Sequence, residues 1–339
     1  MNSYKMWLTA ALCLAGIYSF AQSAGDAKML ITEGIALNNQ KDYAGAESKY
    51  KAALGIEPEN IQASYQMAFS LNAGGKGMEA VPYLQKVVKG QASMAIISSA
   101  YELMGSIYDK ANHLQQAIDT YKEGIKANPA YQSMYYNLGL AYFRNKQYAE
   151  AESSAIDAIK LDPKQASYTR LYALVTFHQN KRAPALLGFC NFVLLEQNTA
   201  RSTEAYGNMQ HIIQGGVLKP EPGRHPQLMD ADTKALNNAI TQAVAPFAKR
   251  RYASAGDLLA AQLKDLFTAI GNLAQKQTGN DFFRKYLAAY FYQLAQTTNM
   301  PAFARLVSLS IPQSNQWAKN NAQQMTDLDT WVKNTERGF

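Results

Sequence analysis

Catalysis by this chain would depend on histidine, cysteine, serine or paired carboxylates in a recognisable spacing. None of the histidines lies in an H-E-x-x-H frame, which would place two zinc ligands and a general base on one face of a helix. The sequence has neither a G-x-S-x-G nucleophile turn nor a phosphate-binding G-x-x-x-x-G-K-[ST] loop. It therefore predicts no catalytic residue, no metal site and no cofactor. The four histidines are His113, His178, His211 and His225.

The remaining candidates for chemistry are a thiol and one acid–base pair. Cys190 lies close to Phe189 and Phe192, and this apolar setting predicts a buried, unreactive thiol. Glu221 and His225 could meet within a proline-rich stretch, which we interpret as surface decoration. The chemistry-bearing residues thus favour binding over catalysis.

Residues 1–21 have the parts of a secretory signal peptide. Lys5 supplies the positive charge, residues 6–20 are uncharged, and a small residue, Ala21, precedes the predicted cleavage site. The apolar run of about 15 residues is shorter than the roughly 20 that a membrane-spanning helix needs. The sequence predicts export to the bacterial periplasm and no stable membrane span after cleavage, with secretion and outer-membrane association as alternatives.

Residues 1–21 have two alternative interpretations. The segment could stay uncleaved as an anchor, or Cys13 could carry a lipid. A lipobox requires a small residue before the cysteine, and Leu12 stands there. Removal of residues 1–21 would leave Cys190 as the single cysteine, so the sequence predicts no internal disulfide.

The composition predicts a folded chain with a mild positive charge. Of 339 residues, 47% are hydrophobic and 17% are charged, and the formal net charge of +7 falls to +6 once Lys5 is removed. The basic residues do not form the clustered face that phosphate backbones require. We therefore expect no nucleic-acid partner.

An internal repeat is the strongest signal in the sequence. The run at 42–46 (DYAGA) is followed by Pro58, and the run at 147–151 (QYAEA) is followed by Pro163 at the same distance. Phasing on these prolines and on Pro129 divides the first half of the chain into units of 34 residues. The five units are 27–60, 61–94, 98–131, 132–165 and 166–199.

The eighth and twentieth places of every unit hold small residues, as two closely crossing helices require. The eighth place is Gly34, Ala68, Gly105, Gly139 and Ala173. The twentieth place is Ala46, Ala80, Ala117, Ala151 and Ala185. With this length and pattern, the sequence resembles the tetratricopeptide repeat, a pair of antiparallel helices. The resemblance implies an all-α superhelical solenoid in which the first (A) helices line a concave groove and the second (B) helices lie behind them.

The groove places of that family, carried onto this chain, predict a partner-binding surface. Its upper part is rich in amides, and its lower part is aromatic and basic, suited to a peptide with a carboxylate. For Phe177 the alternative is packing on the following helix. The carboxylate clamp of some family members is not expected. It places lysine and asparagine at the fifth and ninth places of the first unit, which are Ile31 and Ile35 here. The predicted groove residues are Gln62, Tyr65, Gln66, Tyr136, Asn137, Phe143, Arg144, Arg170, Phe177 and His178.

After residue 199 the repeat phase is expected to end. Residues 200–229 read as a capping helix followed by a linker rich in proline and glycine, and 230–337 as an irregular helical domain. Within it, 281–298 is apolar nearly all round and is predicted to be central, and 314–335 is predicted to form one last helix.

The sequence thus predicts a non-catalytic scaffold or adaptor of the bacterial cell envelope that binds a protein or an extended peptide. Two alternatives stay open at this stage. One is a glycan-binding module of an outer-membrane uptake system, and the other is an enzyme with its site in residues 230–337.

Overall fold

The computed structural model describes residues 25–215, 229–279 and 282–339. The predicted signal peptide, Cys13 and the proline-rich stretch with Glu221 and His225 lie outside these residues. The described residues are helical and contain no strand, which confirms the all-α prediction. The chain divides into two compact units, one ending at Ala141 and the other running from Tyr142 to Phe339.

In the first unit, helices follow one another in antiparallel pairs. Each of α2 to α5 packs on the next, and the two A helices α3 and α5 also contact each other. The boundary between the units falls within α7. The helices are α1 (residues 25–39), α2 (Tyr43–Ile56), α3 (Ile61–Ala73), α4 (Gly77–Lys89), α5 (Met94–Lys110), α6 (Leu114–Ala127) and α7 (Gln132–Arg144).

The first helices of the second unit are also paired. α10 packs on α9, α11 and α12, and α13 contacts α12, α14 and α15. The α-helices are α8 (Tyr148–Leu161), α9 (Ala166–His178), α10 (Arg182–Leu195), α11 (Ala200–Ile213), α12 (Ala231–Val244), α13 (Ala255–Ala274), α14 (Ala289–Ala295), α15 (Met300–Val307), α16 (Pro312–Asn320) and α17 (Ala322–Asn334). A 3-10 helix spans Ala245–Lys249 and a π-helix spans Phe282–Ala288.

The small residues of the repeat lie at the helix crossings, as predicted. All ten are buried. A Cβ atom added to Gly34 would lie 2.5 Å from the Tyr50 ring, and one added to Gly105 would lie 2.4 Å from the Tyr121 ring. The absence of a side chain at the eighth place therefore makes room for a large aromatic residue on the B helix.

Proline ends three of the B helices. Because a residue before proline is excluded from helical geometry, the cap residue of each helix is forced into an extended conformation. Its φ is −123°, −139° and −145° at Glu57, Asn128 and Asp162, the residues that precede Pro58, Pro129 and Pro163.

The turn inside each helix pair is three residues long and has a left-handed residue in the middle. The glycine-rich turn at 74–76, which the sequence suggests is loose, has the same length as the others. The middle residues have φ between 55° and 83°, a region that glycine and asparagine tolerate best. They are Lys41, Gly75, Asn112, Lys146 and Asn180.

Lys41→Gly should raise the free energy of unfolding by about 0.5–1 kcal/mol, because glycine adopts a positive φ without a steric cost. Lys41 is exposed and has φ 64°. The matched control is Lys51→Gly in the middle of α2, which should lower stability by about 1 kcal/mol. Thermal melts followed by circular dichroism would measure both. Equal destabilisation by the two substitutions would contradict the turn assignment.

The three extra residues between the second and third predicted units are absorbed by a helix. α5 has 17 residues, whereas the A helices α3, α7 and α9 have 13. An added stretch close to one helical turn leaves the buried face of the helix unchanged. The units themselves stay a prediction, although each of the five contains one pair of helices.

The repeat phase continues beyond residue 199, contrary to the expectation from sequence. α11 begins 34 residues after α9, and Gly207 takes the eighth place. Contacts in the second unit repeat the same interval: Arg170 pairs with Glu204, and the Phe177 ring lies 5.9 Å from that of His211. α11 is therefore placed like a further A helix on α10.

α10 is buried almost all round, and its first residue joins three helices. Arg182 is 5% exposed. Its Nη2 donates to the Ile212 carbonyl of α11 at 2.6 Å, and its Nη1 donates to Thr241 Oγ1 of α12 at 3.2 Å. Asn237 of α12 accepts from the Arg182 backbone N–H at 3.0 Å. Burial lowers the pKa of the guanidinium from its usual value.

The last helices differ from the sequence prediction in two places. Most apolar residues of 282–298 are buried, as predicted, but Phe282–Ala288 forms a π-helix before α14 begins. The segment 314–335 is two helices, α16 and α17, which meet at Asn321. Asn321 has φ −123° and ψ 46°, outside the helical range, so one helix cannot pass through it.

Candidate binding surfaces

The A helices of the first unit place predicted groove residues next to one another. α3 packs on α5, and Asn137 Nδ2 of α7 donates to Glu102 Oε1 of α5 at 3.1 Å. We call the side chains at the predicted groove places of α3, α5 and α7, as far as Ala141, the A-helix row. The row groups Gln62, Tyr65 and Gln66 on α3, and Tyr136 and Asn137 on α7.

The α3 part of the row is open to solvent. Gln62 is exposed, whereas Tyr65 and Gln66 are half-buried. Phe69, one turn after Tyr65, is 46% exposed. Residues three and four apart share a helix face, so these side chains form one aromatic and amide-bearing strip. Such a strip can stack on apolar groups and donate to a peptide backbone.

A carboxylate lies at the middle of the A-helix row. Glu102 accepts from the Tyr131 hydroxyl at 2.7 Å as well as from Asn137. Burial, followed by the Glu102 hydrogen bond and charge, raises the pKa of Tyr131 from its usual value. Both donors are neutral, so they fix the carboxylate without cancelling its charge. This part of the row suits a cationic group.

In the second unit, Phe143 and His178 are brought together with Tyr148. The His178 ring meets the Phe143 ring edge-on at 4.9 Å and stacks on the Tyr148 ring at 5.7 Å. His178 is exposed, as is Arg144, which follows Phe143. Sequence reasoning did not place Tyr148 in the site. Tyr148 holds the same place in its repeat unit as Tyr43 does in the first unit, so a comparison of the units could have identified it.

Arg170 is engaged within the protein. Its Nη2 lies 2.7 Å from Glu204 Oε2 of α11. This ion pair joins α9 to the next helix of the same phase. Charge reversal at Arg170 would therefore disturb a contact between helices besides any effect on a ligand.

Phe177 is not an exposed groove residue, and the packing alternative describes it. The side chain is 6% exposed and its ring meets the Phe189 ring of α10 edge-on at 6.0 Å. The physical reason is the apolar surface of α10, which covers the last turn of α9. Groove places in the last predicted unit thus differ from those in the earlier ones.

Among the described residues, several buried titratable groups lie between helices and show no sign of a metal centre. No group of three or more His, Cys, Asp or Glu able to hold a metal occurs in that part of the chain. Cys190 is buried, which raises the pKa of its thiol well above the usual value. Arg305 of α15 is 3% exposed and pairs with Asp257 at the start of α13, and this hydrogen bond lowers the pKa of the Asp257 carboxyl.

A shallow cavity of about 470 Å³ opens at the turn between α3 and α4 in the first unit. Its polar lining includes Asn72, Lys76 and Lys110. Lys76 is already paired with Glu47 at 2.8 Å. The cavity lies outside the region 230–337, in which the enzyme alternative places its site.

Within the part of the chain that the structure describes, no helix combines the length and the apolar character needed to cross a bilayer.

The family profile of the tetratricopeptide repeat matches residues 103–166. The matched residues run from within α5 to the start of α9, which covers most of the third and fourth predicted units. Residues 103–166 therefore belong to the tetratricopeptide-repeat family.

The chain is similar to human (Homo sapiens) tetratricopeptide repeat protein 6, with 26% identity over 136 residues. The alignment covers 40% of this chain, and the chain spans only about a quarter (25%) of that relative's length.

Two solved structures are similar to this chain over about half of its length. YrrB, described as a TPR protein with an unusual peptide-binding site, is 15% identical, with 56% of this chain and 97% of YrrB covered and a TM-score of 0.48. A MamA fragment from Desulfovibrio magneticus RS-1 is 23% identical, with 50% and 95% covered and a TM-score of 0.46.

Proposed function

We propose that this chain is a non-catalytic scaffold that binds a protein or an extended peptide through the A-helix row of its first unit. The observation that carries the proposal is the exposed strip on α3, where Phe69 is 46% exposed beside Tyr65 and Gln66. Repeats of this kind contact only their neighbours, which leaves a long face free for a partner.

The chemistry of the row supports an extended ligand that carries a basic residue. Amides at Gln62, Gln66 and Asn137 can pair with a peptide backbone, and Tyr65 and Tyr136 offer rings for stacking. The Glu102 carboxylate, held by neutral donors, can accept a lysine or arginine. A strip of this kind does not need a deep pocket to reach a standard interface area.

Location in the bacterial envelope, most simply the periplasm, is part of the same proposal and depends on residues 1–21 acting as a signal peptide. The proposed domains are the five repeat units at 27–199, the segment 200–229, in which α11 continues the repeat phase, and the helical region 230–337. In the second unit, Arg144 and His178 with its aromatic neighbours would offer a further contact area.

Photocrosslinking from the strip tests the proposal. A benzophenone amino acid at position 69 should give discrete adducts in cells, whereas the same residue at position 56 should give none. Ile56 is a matched control because it is 38% exposed but lies at the end of a B helix. The crosslinked partner would then be purified for a binding assay.

With that partner, the double variant Tyr65→Ala/Phe69→Ala should bind at least tenfold more weakly, since buried aromatic anchors dominate most interfaces. Ile56→Ala should bind as the wild type does. Equal adduct yields from positions 56 and 69, or an undiminished affinity of the double variant, would remove the A-helix row as the binding surface.

A further inference from the structure

Residues 335–339, which follow α17, lie along a row of aromatic rings in the second unit. Phe339 stacks on Tyr286 with ring centroids 4.6 Å apart and planes inclined by 7°. Its ring also lies 6.4 Å from that of Phe282, again nearly parallel. Phe282, Tyr286 and Tyr290 follow one another at intervals of four residues along the π-helix and α14. We call these three rings the aromatic row.

Arg337 completes the contact at the other end of the aromatic row. Its guanidinium carbon lies 3.6 Å from the centroid of the Tyr290 ring and 5.3 Å from that of Tyr286. These are cation–π distances, and a guanidinium suits them because it is planar and weakly hydrated. Arg337 and Phe339 are two residues apart, so an extended backbone can present both side chains to the same row.

A buried amide is aimed at the same guanidinium. Nη1 of Arg337 donates to Oδ1 of Asn191, which is 1% exposed on the otherwise apolar middle of α10. The amide is oriented from its other end, where Nδ2 donates to Thr169 Oγ1 at 3.4 Å. A polar side chain in this setting needs a partner, and the arginine supplies it.

The segment is bound in the manner of a peptide ligand. Arg337 is half-buried, whereas its neighbours Glu336 and Gly338 are exposed, and Phe339 keeps 47% of its surface exposed. Among the described residues, no backbone hydrogen bond ties 336–339 to the rest of the protein. Two side chains, those of Arg337 and Phe339, make the contacts of the segment with the aromatic row and Asn191.

The π-helix gives the aromatic row its shape. Such turns are rare, and they recur at functional sites because they displace side chains from the regular helical face. Phe282 and Tyr286 both belong to it and are stacked on each other at 5.1 Å. The two rings and the Tyr290 ring, spaced by four residues, thus share one face and present a continuous surface.

We propose that the aromatic row and Asn191 form a binding site for an extended peptide with the pattern Arg-x-aromatic, and that residues 335–339 are an internal ligand of this site. The site takes the same motif from another chain when the internal segment is released. This site is separate from the A-helix row and does not depend on the function proposed for it.

The test uses a fluorescein-labelled peptide of residues 333–339 and fluorescence anisotropy. In the full chain, the variant Arg337→Ala/Phe339→Ala empties the site without altering its walls. The variant should bind the peptide with a Kd at least tenfold lower than the wild type, in which the tethered segment competes at an effective concentration on the order of millimolar. A peptide with alanine at its arginine position should not bind.

Circular dichroism first establishes whether the double variant is folded. A folded variant that does not bind the peptide overturns the proposal, and so does a variant that unfolds, because the segment would then be a fixed part of the core. Equal binding by the wild type and the variant, or by the alanine peptide, would mean that the peptide binds elsewhere. Tyr252→Ala in the double variant, remote from the aromatic row, should leave the affinity unchanged.

Discussion

Arg182→Ala should lower the free energy of unfolding of the second unit by roughly 2–4 kcal/mol. Two acceptors on different helices, the Ile212 carbonyl and Thr241 Oγ1, would lose a charged donor. Buried groups that lose such a partner cost about 1–3 kcal/mol each, and the removed side chain leaves a cavity besides. Relief of the desolvated charge offsets part of this loss.

Tryptophan fluorescence during urea unfolding would measure the effect. The three tryptophans are at positions 7, 317 and 331, so a Trp7→Phe background reports on the second unit alone. Arg182→Met keeps the apolar stem and should be intermediate, whereas Arg201→Ala, which removes an exposed pair with Glu196, should cost below about 1 kcal/mol. If Arg182→Met is as stable as the parent, the guanidinium does not hold α10, α11 and α12 together.

Gly105→Ala should destabilise the first unit by about 1–3 kcal/mol, the usual cost of overpacking. The new methyl group would lie 2.4 Å from the ring of Tyr121, which is only 2% exposed and cannot swing aside. Helix propensity alone predicts the opposite change in stability, because alanine is favoured over glycine by about 1 kcal/mol inside a helix.

Gly55→Ala is the matched control, because nothing lies within 4 Å of a Cβ atom at that position. It should leave stability unchanged or raise it, as followed by circular dichroism in urea. Tyr121→Leu combined with Gly105→Ala should recover part of the loss, so the two changes should be non-additive. A Gly105→Ala variant as stable as Gly55→Ala would argue against the close crossing of α5 and α6.

The sequence predicts features that depend on neighbours at a fixed spacing. Gly34 and Gly105 indicate a close helix crossing, because a tyrosine ring of the B helix fits there only when the facing residue has no side chain. Pro58, Pro129 and Pro163 end helices through the geometry they impose on the preceding residue. Both effects are local, so they can be recognised without knowledge of the tertiary structure.

Features decided by tertiary contacts were predicted only in part. Phe177 has the spacing of a groove residue, and the sequence alone did not decide between the groove and packing on the following helix; in the structure α10 covers it. Arg170 reads as a ligand for carboxylates, although Glu204 from the next helix pairs with it. The π-helix at Phe282–Ala288 has a strongly apolar sequence that fits an ordinary helix equally well. Sequence spacing places a residue on a face, but it does not say what that face meets.

The left-handed turn residues have a consequence for how this array can change over evolution. A three-residue turn in which one residue has a fixed positive φ cannot take up an extra residue without a change in its geometry. One residue inserted at the helical start of the following B helix would turn the rest of that helix by about 100° and carry its alanine away from the crossing. Changes in length should therefore accumulate where an A helix begins, as in the longer α5, while the turns within the pairs keep their length.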